Sequence, residues 1–268
     1  MLRRPVVSGR FYPGGKAALL ADIEKRVQDC KLSTEKVLGA VCPHAGYMYS
    51  GRTAALTLSK IAPVDTFIIF GPNHTGLGTE ASIMTEGEWQ TPLGNVEIDS
   101  KTASAMLSMC RFLEQDQAAH QNEHSIEVQL PFLQYYFKDF KIVPICLATA
   151  DIKKLEAIGK SAAAAVKRTG VSACIIASSD MTHYESAESA KRKDELAIKK
   201  LLALDGVGLA KTVRDNDISM CGWAPAVAML AAVKELGATK AELVEYTNSG
   251  EESGDFEQVV GYAGIIIK

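Results

Sequence analysis

The sequence predicts an α/β fold in which a largely parallel sheet is covered on both faces by helices. Two observations predict it. Continuous apolar runs of strand length alternate with segments of helical periodicity, as expected of strands buried on both faces. Three of those runs, 37–42, 66–70 and 174–177, stop and deliver a histidine within a few residues, at His44, His74 and His183. Strand ends in such sheets open into the crevice where ligands gather.

The elements follow in order. Residues 16–29 carry Leu19, Leu20, Ile23 and Val27 at helical spacing. A buried strand over 37–42, a helix over 52–61 and a second buried strand over 66–70 come next. Residues 82–84 and 96–98, separated by Gly87 and Pro92-Leu93-Gly94, predict a short hairpin-like excursion and a candidate interface. Residues 102–113 and 125–137 read as helical, the second interrupted or kinked at Pro131, which lacks an amide donor. A strand over 141–147, an alanine-rich helix over 152–167, a buried strand over 171–177 and a long helix over 187–204 continue the alternation. Residues 224–236 are helical, with Pro225 tolerated in the first turn. Strands over 241–246 and 259–267 finish the sheet, antiparallel to one another, which makes it mixed. Residues 249–255, rich in glycine, serine and acids, are expected to form a mobile loop.

With 268 residues and 47% hydrophobic composition, the chain predicts one domain, or one domain with a small insert. A net charge of −3 without a basic block argues against nucleic acid. No apolar stretch approaches the roughly 20 residues needed to cross a bilayer. Met1-Leu2-Arg3-Arg4-Pro5 has no apolar region behind it, so no secretory signal is expected. The six cysteines are scattered without a C-x-x-C pair, which predicts a reduced, cytoplasmic protein without a disulfide framework.

Five segments carry candidate chemistry. His44 lies in Pro43-His44-Ala45-Gly46-Tyr47, where small residues permit close approach; the plain alternative is an imidazole bonded to a backbone carbonyl. His74 lies in Gly71-Pro72-Asn73-His74-Thr75-Gly76, a tight turn that is not a P-loop, since no Gly-Lys-Ser/Thr follows. Asp180 and His183 lie in one seven-residue segment, so the carboxylate is expected to orient the imidazole or share its site. A serine-hydrolase triad is disfavoured because no G-x-S-x-G elbow is present. Residues 123–127, Glu-His-Ser-Ile-Glu, enter a helix with His124 and Glu127 on one face, and they do not match H-E-x-x-H. Capping by Asn122 or Ser125, with acids favoured in the first turn, accounts for the acids but poorly for His124. Cys221 precedes a helix, whose N-terminus is expected to lower the thiol pKa. Beside candidate histidine ligands it points to a His–His–Cys metal site.

Taken together, these segments resemble the Memo family, whose fold is similar to that of class III extradiol ring-cleavage dioxygenases. The matching residues are Gly9-Arg10-Phe11-Tyr12-Pro13, residues 43–47, Gly71-Pro72-Asn73-His74, residues 123–127, residues 178–183 and Cys221-Gly222. They occur in family order over almost the full length. The resemblance implies a single three-layer α/β/α domain over 1–268 with a mononuclear metal pocket at the strand ends. It implies that His44, His74 and Cys221 bind the metal, iron or copper, with zinc also compatible. It implies further that Asp180 and His183 line the pocket, and that His124 and His183 act in proton transfer or oxygen positioning. Cys221 stands where the dioxygenases use a carboxylate, and a thiolate is softer and oxidisable.

Three functions follow as expectations. The leading one is a metal-dependent, dioxygenase-like oxidoreductase in which His183, oriented by Asp180, moves protons and His124 assists. The second is a peptide- or phospho-ligand-binding module, since eukaryotic Memo relatives are implicated in phosphotyrosine-peptide recognition and motility signalling. The third is a zinc hydrolase. Prokaryotic relatives are often encoded with a radical-SAM protein, which implies a pathway partner. The substrate, whether a small molecule or a peptide, and the oligomeric state stay open at this level.

Overall fold

The computed structural model describes residues 1–28, 30 and 32–268 as three layers, α/β/α. A nine-stranded mixed sheet forms the middle layer. Its centre is four parallel strands in the order Gly39–Cys42, Ala173–Ser178, Thr66–Pro72 and Lys141–Leu147. Nearly every residue of these strands is buried, which is why they read as unbroken apolar runs. Val259–Ile267 adds antiparallel to Gly39–Cys42, and Ala241–Asn248 and His183–Glu185 pair antiparallel with it in turn. On the other side Ala81–Ile83 adds antiparallel to Lys141–Leu147 and carries Glu114–Gln115.

Helices Lys16–Val27, Tyr47–Leu58 and Leu130–Tyr136 cover one face. Ser100–Met109, Ile152–Thr169, Ala187–Leu202, Gly206–Asp215 and Trp223–Glu235 cover the other. Their starts are chemically marked. Asp99, Asp151, Ser186 and Asp205 each accept a backbone N–H of the first turn. The helices Ile152–Thr169 and Trp223–Glu235 touch backbone to backbone at Gly159, where a Cβ would stand 2.0 Å from the Ala228 carbonyl.

Several expectations need correction. The strand begun at Ala81 joins the main sheet instead of pairing with residues 96–98. The hairpin is Glu88–Thr91 with Gly94–Glu97, to which Leu2–Arg3 adds a third strand. Trp89 anchors it, fully buried beneath the Arg3 guanidinium at 4.3 Å. Of the two expectations for residues 125–137, a kink at Pro131 fails and an interruption holds, one residue ahead of the proline. A 3-10 turn at Glu127–Gln129 leads into a helix from Leu130, and proline in that first turn loses no bond. Residues 249–255 are not a plain loop but hold a helical turn, Gly250–Ser253. The helix Gly206–Asp215 was not expected. The first helix ends at Val27, and Asp29, placed in it by periodicity, lies outside the described residues. Among the described residues no helix is long and apolar enough to cross a membrane, and all six cysteines are free.

His120 is fully buried, edge-on to Trp89 at 5.9 Å. Burial, and then the neighbouring Arg3 charge, push its pKa from the ordinary 6.5 down to about 4. The unfolded chain therefore takes up a proton that the folded chain refuses between those values. This group's contribution is fully present above pH 6.5 and is lost as the pH falls toward 4. Urea unfolding followed from pH 7 to 4 should show that loss, and His120→Leu should flatten the curve over the same window.

Candidate functional site

The four parallel strands point the same way, so the loops after three of them converge. His44 follows Gly39–Cys42, Asp180 follows Ala173–Ser178, and His74 follows Thr66–Pro72, with the middle strand lying between the other two. The segment 122–126 and the start of the helix Trp223–Glu235 close over this end and add His124 and Cys221. The His44 and His74 ring centroids stand 5.3 Å apart, His44 and His124 5.5 Å, and His74 and His124 4.8 Å with the rings stacked. Phe11 sits edge-on to His124 at 4.9 Å.

A donor atom from each of His44, His74 and Cys221 falls within 4.8 Å of the others, with His44 Nε2 3.4 Å from Cys221 Sγ. His74, Glu123 and His124 form a second cluster within the same limit. Hydrogen bonding distinguishes the two. Glu123 Oε1 accepts from His74 Nδ1 at 2.9 Å and from the backbone N–H groups of His124 and Ser125 at 2.8 Å, while Oε2 accepts from the His74 N–H. Its lone pairs are committed to holding the loop and the imidazole. With Nδ1 donating to Glu123, His74 leaves Nε2 free, so Glu123 orients a donor and is itself poorly placed to be one. Sequence reading took this acid for a helix-terminus residue, since its partner lies 49 residues away.

Burial, and then the neighbouring His124 and His74, push the His44 pKa well down, so its imidazole is neutral. Burial works to raise the Glu123 pKa, but the His74 bond and charge and the backbone donors outweigh it and hold it at about 2. Burial lowers the His74 pKa, and the Glu123 bond more than reverses that. For Cys221 the expected helix-terminus effect is overturned: burial, and then the Asp180 charge, push the thiol well up. A thiolate there needs a cation beside it.

Asp180 does not orient the His183 ring, although the two groups lie close enough to interact through their charges. Asp180 Oδ1 accepts from the backbone N–H of His44 at 2.8 Å and of Ala45 at 3.3 Å, fixing the His44 loop. The His183 ring is set by the Ser219 carbonyl, 3.0 Å from Nδ1. A carbonyl only accepts, so Nδ1 carries the proton and Nε2 is left as the basic atom. Glu127 does not share a face with His124 either. It turns away into a buried ion pair with Arg3 and accepts from Val6 N, Val7 N and Tyr12 Oη. This ties Arg3, Val6, Val7 and Tyr12 to the segment that follows His124, and Phe11 beside Tyr12 reaches the His124 ring. Gly222 completes the closure, since a Cβ there would meet the Ser178 carbonyl at 2.3 Å.

A family model described as Memo-like protein matches residues 3–266. A "MEMO1 family protein" of Methanosarcina mazei is 45% identical over 268 residues, covering 100% of this chain and 99% of its own. One from Pyrobaculum aerophilum is 44% identical over 277 residues, covering 99% and 98%. Among solved structures, an uncharacterized protein of Escherichia coli K12 aligns with a TM-score of 0.53 at 10% identity. It spans 86% of this chain and 100% of that one, a likeness of fold alone.

Glu123→Gln replaces a carboxylate that accepts four N–H groups with an amide that must turn an NH2 toward some of them. The variant should lose about 3 kcal/mol in chemical denaturation, the order expected when a buried charged partner is removed. Its His74 ring signals should broaden or move in the NMR spectrum.

Proposed function

The chain belongs to the Memo-like family, and from that premise we propose that its pocket holds one redox metal ion, iron or copper, and works as a metal-dependent oxidoreductase. The observation that carries this reading is the convergence of His44, His74 and Cys221 from three distant stretches onto one point. An ion bonded to nitrogen and sulfur at about 2.0–2.3 Å requires its donors roughly 3–4 Å apart, and His44 Nε2 to Cys221 Sγ meets that at 3.4 Å. Two imidazoles and a thiol suit copper, iron or zinc and suit magnesium or calcium poorly. The ion would supply electron transfer and a binding position for a substrate or oxidant.

The chain's own groups supply the rest. His44, held neutral by burial, keeps a lone pair available at pH 7. His74 is aimed by Glu123. His183, with Nδ1 fixed on Ser219, offers Nε2 to take a proton and return it. His124, stacked on His74 and flanked by Phe11, stands at the pocket wall where it can donate to a bound ligand. Asp180 holds the His44 loop by two backbone bonds and places its charge near the thiol. A small molecule or a peptide side chain is the proposed ligand, and the radical-SAM association implied by the family likeness is proposed as its pathway context.

Elemental analysis of anaerobically purified protein tests the assignment. Metal content should collapse in His44→Ala and His74→Ala. His183→Ala should keep its metal and lose oxygen uptake with catechols or reductants. Equal metal in all three variants would refute the ligand set. Zinc alone, with ester or amide cleavage, would turn the reading to a hydrolase.

A further inference from the structure

Beneath His44 lies a chain of fully buried polar groups that the proposed function does not use. His44 Nδ1 is 2.9 Å from Ser178 Oγ. Ser178 Oγ is also 2.6 Å from the Ser125 carbonyl oxygen and 2.8 Å from Gln129 Nε2. Ser178, Ser125 and Gln129 are each wholly buried, so water does not compete for these bonds.

Proton counting assigns every donor. Gln129 Nε2 also faces the Pro43 carbonyl at 2.9 Å and the Cys42 carbonyl at 3.4 Å. Turning the amide over would set its oxygen against those acceptors, so the nitrogen stays there and donates to Ser178. The Ser125 carbonyl can only accept, and it takes the single hydroxyl proton of Ser178. Toward His44, Ser178 then has only a lone pair to offer. Nδ1 must bring the proton.

We propose that Ser178, held by Gln129 and the Ser125 carbonyl, is a positioning residue that locks His44 in the Nδ1-protonated tautomer and so presents the Nε2 lone pair toward Cys221 Sγ. The same tripeptide, 123–125, thereby presets both imidazoles: Glu123 acts on His74 through its carboxylate, and Ser125 acts on His44 through its carbonyl and Ser178. Without the relay, a neutral imidazole with Nε2 protonated would put a hydrogen where a ligand bond has to form. The consequence for metal affinity rests on the reading of His44 as a ligand. The tautomer itself does not.

Long-range proton–nitrogen correlation spectra of the metal-free, 15N-labelled full chain at pH 8 report the tautomer directly. His44 should show a protonated Nδ1 and a bare Nε2, and the reverse pattern would overturn the proposal. Ser178→Ala should shift His44 toward Nε2–H and weaken Zn2+ binding, measured against a competing chelator, by about 10-fold or more. Ser178→Thr, which keeps a hydroxyl, should restore both. Unchanged tautomer and unchanged zinc affinity in Ser178→Ala would also overturn it. If Ser178→Ala fails to fold, the wild-type spectrum decides alone. A bare Nε2 in a chain that binds no metal would sink the metal reading and leave this one standing.

Discussion

Two carboxylates buried four residues apart, Glu123 and Glu127, hold the rest of the pocket in place. A buried carboxylate stays ionised only when donors surround it, and here each gathers its donors from a different part of the chain. Glu127 draws in Arg3, the Val6 and Val7 amides and the Tyr12 hydroxyl. Glu123 draws in the amide and ring of His74 and fixes the turn that carries His124 and Ser125. Arg3 ties the two together by also donating to the Glu123 and His120 carbonyls. The N-terminal segment, the sheet ends and the connection before the helix Leu130–Tyr136 thus meet through charge-assisted bonds that lose their partners together.

This arrangement has a consequence for what the pocket can accept. Burial, and then the neighbouring rings within about 5.5 Å, disfavour a positive charge on His44 and His124. At His74 the Glu123 carboxylate on Nδ1 works against burial and raises the pKa. Two imidazoles held toward the neutral form beside a thiol make a poor cradle for an anion and a good one for a soft cation. That balance favours the metal reading over the phospho-ligand one, whose anion would need fixed positive charge in the same place.

The fold likeness and the family likeness carry different weight. A TM-score of 0.53 at 10% identity says that the same layers recur in a distant chain and says nothing of chemistry. Identity of 44–45% over the whole length places the chain in its family. Cys221 supplies the sulfur of the pocket's donor set. Its sulfur lies 3.3 Å from the Asp180 amide, next to Gly222, where a Cβ would collide with the Ser178 carbonyl. A thiol so placed is protonated without a cation and becomes a strong soft donor with one.

The sequence by itself determined the layers. Strands 141–147 and 259–267 were readable to the residue, because burial on both faces leaves no choice but apolar side chains. The helix Ile152–Thr169 was readable within two residues of its end from its alanine-rich composition. His44, His74 and Cys221 were singled out because rare, chemistry-bearing residues at strand and helix ends stand out against an apolar background. Partnership was not legible. Glu88–Thr91 is too short to carry a period and is a strand because Trp89 is buried under Arg3, whereas Gly206–Asp215 has an Asp205 cap and an apolar face of Leu209, Ala210 and Val213 that was passed over. Asp180 was paired with His183 on nearness in the chain, yet it serves His44 from 136 residues away. Glu123 reads from the sequence as a helix-terminus acid and Gln129 draws no reading there, yet the fold sets both beside their donors and acceptors, Gln129 against Ser178. Sequence constrains each residue's solvent exposure and local geometry, whereas a hydrogen-bond partner depends on which distant segment the sheet order sets beside it.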